Sequence, residues 1–308
     1  MALLAREVTE LREFTSRLPV DLLQSLQPLI ASAHDPTIRV REDAFARTTW
    51  TPHGPGTLAV ERRTGDTFVA RAWGPGASWL LEAAPALTGA CDHLDGFDPT
   101  RHPAVARAHD RRPGLRMIRS GLAVDVLVPT VIAQRVTARE AAASWTRLVR
   151  AHGAPAPGPY PLRLPPSCDQ LRSMPSHRYL RLGIDGARAR RSVTACRAIA
   201  RIQAGIEQPQ VTGPDPQTTI AGVGVWTAAL VRRVAAGDPD AVEVGDDGVK
   251  HHVAWNLAGE ARADDARMLD LLAPFAGHRG RVVRLLASAG ARPPAFAPKR
   301  PVVPVETL

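Results

Sequence analysis

The sequence predicts an α+β protein: a small N-terminal antiparallel β-sheet with helices, followed by an all-α unit. Two patterns lead there. Short runs of alternating apolar and polar residues, parted by turn signals, cluster before residue 75. Beyond the linker "GFDPTRHPA" (96–104) the strand signal disappears and helix-period patterns take over. At 308 residues and 44% hydrophobic content, the chain can bury a real core. The expected organisation is an α+β unit over 1–103, a helical unit over 104–290 and a proline-rich tail over 291–308.

Taken in order, "PVDLLQSLQPLIASA" (19–33) repeats apolar residues at helical spacing, with Asp21 or an earlier residue near its start. "DAFARTTW" (43–50), "GTLAVERR" (56–63) and "TFVARAWG" (67–74) alternate, and "TPHGPG" and "RTGD" turn the chain between them. These three read as an antiparallel meander. "ASWLLEAAPALTG" (77–89) is helical again. Residues 119–152 hold one or two helices, and "APAPGPYPLRLPPS" (154–167) is an extended, surface-bound, proline-rich connection. Shorter helices are expected at 168–174, 176–182, 187–206, 224–236, 247–257, 265–274 and 278–289. The tail "ARPPAFAPKRPVVP" has too many prolines for a helix.

The net charge is +9 and the pI near 10.7, and only Lys250 and Lys299 are lysines. Arginine suits phosphate contacts through its planar fork, although a codon bias toward arginine gives the same composition. This balance makes nucleic acid the leading partner class. Cys91, Cys168 and Cys196 are odd in number and widely spaced, which excludes a disulfide framework and fits a reducing cytoplasm. "MALLAREVTELREF" lacks the apolar core of a signal peptide, and no apolar run is long enough to suggest a membrane span. The ten histidines show no metal-ligand spacing, so no metal site is expected.

The most informative stretch is "TTIAGVGVWTAALVRRV" (218–234), two glycines one residue apart at the mouth of an amphipathic helix. It is either a plain interhelical turn or a backbone cradle for phosphate. In the second case Gly222 and Gly224 let the backbone approach a strand closely, and the helix N-terminus presents free N–H groups. Downstream, "AVEVGDDGVKHHVAWNL" places Asp246 and Asp247 after a short extended run and at the start of another helix. Such a pair is a helix cap or a catalytic carboxylate.

Taken together, "IAGVGVWTAALVRR" and "GDPDAVEVGDDGVK" resemble the signature of the helix–hairpin–helix (GPD) DNA glycosylases, in particular the 3-methyladenine DNA glycosylase II, or AlkA-like, branch. The likeness is strong over 220–250. It extends more weakly over about 15–290, through "LVPTVIAQRVTAREAAASWTRLV", "PPSCDQLRSMPSHRYLRLGIDGARARRSVTACRAIA" and the N-terminal meander.

The resemblance implies Asp246 as the catalytic carboxylate, with Asp247 as the alternative if the frame is off by one. It implies DNA phosphate contacts by Gly222, Val223, Gly224, Val225, Thr227 and Lys250. Lys250, four residues after Asp246, would alternatively steady the carboxylate. Trp226 stands where lyase-type relatives keep a Schiff-base lysine, which implies a monofunctional enzyme. Trp226 is then free to stack on a flipped base or to serve as a core tryptophan. Gln134 and Arg135 fall where the family fills the gap left by the flipped nucleotide, although an apolar wedge is common there. His251 and His252 are expected in solvent.

No cysteine follows Cys196, so no iron–sulfur cluster of the kind found in relatives is expected. A monovalent cation on the hairpin carbonyls fits the family. The stretches "AALVRR", "DDGVKHH" and "HRGRVVRLLASAG" lack the aromatics of AlkA-like pockets, so a more open or polar pocket is expected. The function implied is a monofunctional glycosylase removing alkylated purines from double-stranded DNA in base excision repair. It would be a monomer in a bacterial-type cytoplasm, associated with the nucleoid. The alternatives are a glycosylase for another or bulkier damaged base, or a non-catalytic helix–hairpin–helix DNA-binding protein.

Overall fold

A computed structural model describes residues 10–207 and 223–294. Strand β1 (Glu10–Thr15) and helix α1 (Leu22–Leu26) precede β2 (Ile38–Val40), β3 (Ala44–Thr51), β4 (Gly54–Thr64) and β5 (Thr67–Trp73). Helices α2 (Ala77–Thr88), α3 (Pro103–Arg111), α4 (Ala123–Ala133), α5 (Ala138–His152), α6 (Cys168–Ser173) and α7 (Ser176–Arg181) come next. They are followed by α8 (Gly186–Arg197), α9 (Ile199–Glu207), α10 (Val225–Val231), α11 (Val249–Ala258), α12 (Asp265–Leu272) and α13 (Arg279–Ala289). The protein is therefore α+β, as its sequence predicts.

The sheet is antiparallel throughout, in the order β1-β5-β4-β3-β2. The meander β3-β4-β5 matches the alternating runs, and the register pairs Phe45 with Val60 and Arg47 with Leu58. Because side chains alternate across a strand, these four share one face. That face carries Phe45, Leu58, Val60 and Phe68 against Leu80, Ala84 and Leu87 of α2. Contact is close at Gly56, where a Cβ would lie 2.5 Å from Leu80 Cδ1.

The opposite face is also apolar. Ala46, Ala59 and Trp73 pack on Leu162 of the proline-rich connection. That connection is extended, as expected, but it is not merely laid on the surface. Leu162 and Leu164 are buried, because a sheet with two apolar faces needs a cover on each.

Other differences have local causes. The helix expected over 19–33 stops at Leu26 and tightens into a 3₁₀ turn, Gln27–Leu29, where Pro28 supplies no N–H. Asp21 does cap it, accepting from the Gln24 N–H. Strands β1 and β2 and helix α3 carry weak sequence patterns. β1 and β2 are edge strands, held by pairing with β5 and β3. α3 is amphipathic, with Ala104, Val105 and Ala108 turned inward. The helix expected over 187–206 is broken at Ala198.

Besides the small cluster at Leu162, three larger apolar cores organise the described residues. The first joins the sheet and α2 to α4, α9 and α10 through Val126, Leu127, Ile202, Ala228 and Val231. The second gathers α3 with α11, α12 and α13 around Val253, Met268 and Leu286. The third packs α4, α5, α7 and α8 around Ile132, Leu148, Tyr179 and Ile184. Helix α4 contributes to two of them and so sets the position of α10 against the sheet. The second and first cores are tied by an ion pair. Arg281 of α13 donates from both terminal nitrogens to Asp92, at 2.7 Å each, and Asp92 also accepts from the Met117 N–H.

Candidate active site

Helix α10 begins after Gly224, which is extended (φ −77°, ψ 177°) and exposed, and among the described residues beyond its chain neighbours no atom lies within 4 Å of where a Cβ would sit. Val225 beside it is 56% exposed. The first turn of α10 thus carries free backbone N–H groups at an accessible end, where the helix dipole is positive. Gly222 lies outside the described residues. Val223 is buried in the first core. Past Val231 the helix widens into a π-type turn, Arg232–Ala236, closed by Gly237 at φ 75°.

Asp246 precedes α11 in a turn entered through Gly245, whose φ is +88°. Its Oδ1 accepts from the N–H groups of Gly248 (2.8 Å) and Val249 (3.0 Å), so it does serve the helix start. Its Oδ2 accepts from the indole N–H of Trp226 at 3.0 Å. This last bond joins the two motifs directly: the second residue of α10 holds the carboxylate at the mouth of α11. Asp247 is exposed and has no hydrogen bond among the described residues. Of the two aspartates, the first is therefore the anchored one.

The remaining expected site residues divide. Thr227 is 1% exposed and its hydroxyl accepts from Gln134 Nε2 at 3.1 Å, so its side chain is turned inward and only its backbone N–H faces the accessible end of α10. The same bond pins Gln134, at the end of α4, to α10. Arg135 follows it, exposed and at φ 59°, among described residues the one non-glycine with positive φ. A side chain held there is conformationally costly, and such positions concentrate at functional sites.

Lys250 belongs to α11 whereas Asp246 lies before it, so helical i,i+4 spacing does not relate them, and no ion pair joins them. His251 and His252 are structural rather than solvated. His251 Nδ1 accepts from the Ala263 N–H, and an Nε2 of His252 meets the Leu286 carbonyl at 2.9 Å.

Asp246 borders an open cleft of about 630 Å³, lined also by Val249, His252, Val283, Ser288 and Arg292. Among the described residues, no Phe, Tyr or Trp lines it. The arrangement offers a fixed carboxylate beside an accessible helix N-terminus, with an indole bridging them. Chemically, it suits stabilisation of positive charge on a sugar whose phosphates are held close by.

This combination of fold and motif is the helix–hairpin–helix DNA glycosylase fold. The chain superposes on the 3-methyladenine DNA glycosylase from Archaeoglobus fulgidus with a TM-score of 0.75 at 13% identity, covering 90% of this chain and 97% of that one. The Clostridium acetobutylicum 8-oxoguanine glycosylase/lyase, in complex with dsDNA containing cytosine opposite 8-oxoG, gives a TM-score of 0.65 at 12% identity, covering 90% and 96%. In sequence the chain resembles the AlkA-like branch. It is 30% identical over 162 residues to the probable bifunctional transcriptional activator/DNA repair enzyme AlkA of Mycobacterium tuberculosis. That match covers 50% of this chain and 31% of the relative, so the chain spans about a third of its length. No protein-family model matches the chain.

Proposed function

We propose that this protein is a monofunctional DNA glycosylase that removes alkylated purines, of the 3-methyladenine and 7-methylguanine type, from double-stranded DNA. The observation that carries the reading is the Trp226–Asp246 bond, which sets a carboxylate at a defined distance from the first turn of α10. Val225 and its neighbours on that turn would hold a strand phosphate, with Gly224 allowing close approach. Arg135, held exposed in its strained turn, would enter the space left by the flipped nucleotide, and Gln134 positions that turn through Thr227.

In the reaction, the bond between C1′ and the base nitrogen breaks, and its electron pair leaves with the cationic alkylated base, which becomes neutral. Asp246 stabilises the positive charge that develops on the sugar. A water oxygen then bonds C1′ and gives up a proton, to Asp246 or to solvent. Trp226 occupies the position two residues after Gly224, so no amine is available there to form a Schiff base, and the strand stays intact. A monovalent cation at the hairpin would rest partly on carbonyls outside the described residues. With this reading goes a cytoplasmic, nucleoid-associated monomer as the proposed working form. Among the described residues, no helix is long and apolar enough to cross a membrane.

The test is release of bases from randomly methylated duplex DNA. Asp246→Asn should abolish release with duplex binding retained, and Asp247→Asn should keep most of it. Borohydride should trap no covalent adduct. Binding without release from any lesion panel would sink the enzyme in favour of a DNA-binding protein.

A further inference from the structure

Trp226 stands at the start of α10, and Arg233 in the π-type turn that extends it. Both reach the segment that ends at Asp246. Trp226 donates to the Asp246 carboxylate, and Arg233 forms an ion pair with Glu243. Residues 238–248 run in turns and irregular stretches, so side chains must fix their course. Asp238 pairs with Arg232, and Asp240 accepts from the Arg279 N–H at 2.9 Å. The Pro239 carbonyl accepts from the Arg281 N–H at 2.8 Å. These contacts hold the far end of the segment.

Nearer to Asp246, the Gly245 N–H donates to Asp265 in an exposed contact, whereas Glu243 turns inward to Arg233. The Glu243 carbonyl also accepts from the Asp246 N–H at 3.2 Å. Anchoring Glu243 therefore fixes the backbone from which the Asp246 carboxylate projects.

The anchor is a costly one. The side chains of Arg233 and Glu243 are 9% and 5% exposed. Arg233 Nε and Glu243 Oε2 are covered and make no hydrogen bond among the described residues. Arg284 of α13 faces the same carboxylate. Burial and the charge of Arg233 push its guanidinium down, to about 9, and Glu243 opposes them. A buried ion pair gives little net stability, because removing both charges from water costs about what their attraction returns. What it gives is direction, since a guanidinium fork meets a carboxylate in few geometries while apolar side chains slide.

We propose that Arg233 and Glu243 are positioning residues for Asp246, forming with Trp226 a clamp by which α10 and its extension hold the carboxylate from both sides. Trp226 holds the carboxylate itself, and Arg233 holds the backbone behind it. The π-type turn has a part in this, since it aims Arg232 and Arg233 at acids of one segment. The effect on catalysis rests on the glycosylase reading; the clamp itself does not.

The experiment follows two readouts in the full chain. One is single-turnover release of base from methylated duplex. The other is solvent exchange of the Trp226 indole N–H by NMR, its resonance assigned by its loss in Trp226→Phe. Glu243→Ala removes the anchor, and Glu243→Gln keeps an oxygen for Arg233. Arg233→Met removes the other end and leaves Glu243 facing Arg284, which keeps the test sound if Glu243→Ala does not fold.

Glu243→Ala and Arg233→Met should release base about ten-fold more slowly, since a shift of about 1 Å costs on the order of a hundred-fold. Binding of an abasic-site duplex should change by less than about two-fold. Their indole N–H should exchange at least about ten-fold faster, as local opening becomes easier. Glu243→Gln should restore most of both. Where wild type releases base, either readout at its wild-type value in a folded Glu243→Ala or Arg233→Met overturns the assignment. A merely structural pair would lower Tm and move neither. Faster exchange in the variants of a protein that releases no base from any DNA overturns the glycosylase reading and leaves the clamp standing.

Discussion

Replacing Trp226 by Phe separates two roles that the same side chain can play. Phenylalanine keeps a ring able to stack on an extruded base but removes the indole N–H that meets Asp246 Oδ2 at 3.0 Å. A hydrogen bond to a charged group contributes roughly 1.5–3 kcal/mol. Asp246 Oδ1 keeps its two backbone donors, at 2.8 and 3.0 Å, so the carboxylate stays in place and loses only part of its orientation. The lower part of that range applies, about 1.5–2 kcal/mol, which is about a ten- to thirty-fold slower chemical step. Single-turnover release of base from methylated duplex measures it, with binding of an abasic-site duplex as the control. The rate should fall by that factor while binding changes by less than about two-fold. If Trp226→Phe releases base at the wild-type rate while Asp246→Asn is inactive, the bond does not position the carboxylate, and the indole acts through stacking or packing alone.

Three further predictions concern the frame around the site. Asp92→Ala leaves Arg281 buried without its carboxylate and should cost about 3–5 kcal/mol in urea denaturation; a loss below about 1 kcal/mol would show the pair to be dispensable. Arg135→Gly removes a side chain from a φ of 59° and relieves roughly 1 kcal/mol of backbone strain, partly offset by the freer unfolded chain. Its Tm should hold or rise slightly while duplex binding weakens, and a clear fall in Tm would mean that the side chain holds the turn. Burial pushes the Asp240 carboxyl up, but hydrogen bonds and charge from Arg279 outweigh this and hold it below the ordinary carboxylate value. A depressed folded value gives stability that is present above about pH 4 and lost as pH falls through the folded value. Asp240→Asn should therefore be destabilising at pH 7, with the gap to wild type closing toward pH 2; a gap that persists there would point to packing instead.

What could be read without coordinates was whatever rests on local chemistry. Alternation predicts the meander because side chains on a strand point to opposite faces, and helical spacing predicts the paired helices from 119 onward. The Gly-Val-Gly motif and the Asp246–Asp247 pair stand out in the sequence because few residue types tolerate or serve such positions. The choice between the two aspartates rested on a motif frame, and the indole bond now supports the first. Elements held by partners were not legible. β1 and β2 are edge strands held by their neighbours, and Leu162 is buried because Trp73 and Ala59 need a cover.

The same holds for the buried ion pair of Arg47 on β3 and Asp125 on α4. Asp125 is a lone charge in the apolar run "AVDVLVPTVIA", and Arg47 is one of many arginines in a basic chain. Nothing in either context names the other, 78 residues away, because only the packing of α4 on the sheet brings them together. By itself the sequence determined the fold class and singled out the Gly-Val-Gly motif and the acidic pair, since these follow from backbone freedom and short-range spacing. The tertiary structure alone decided which aspartate is held, that Trp226 holds it and that Arg47 meets Asp125, since burial and hydrogen-bond geometry exist only once distant segments meet.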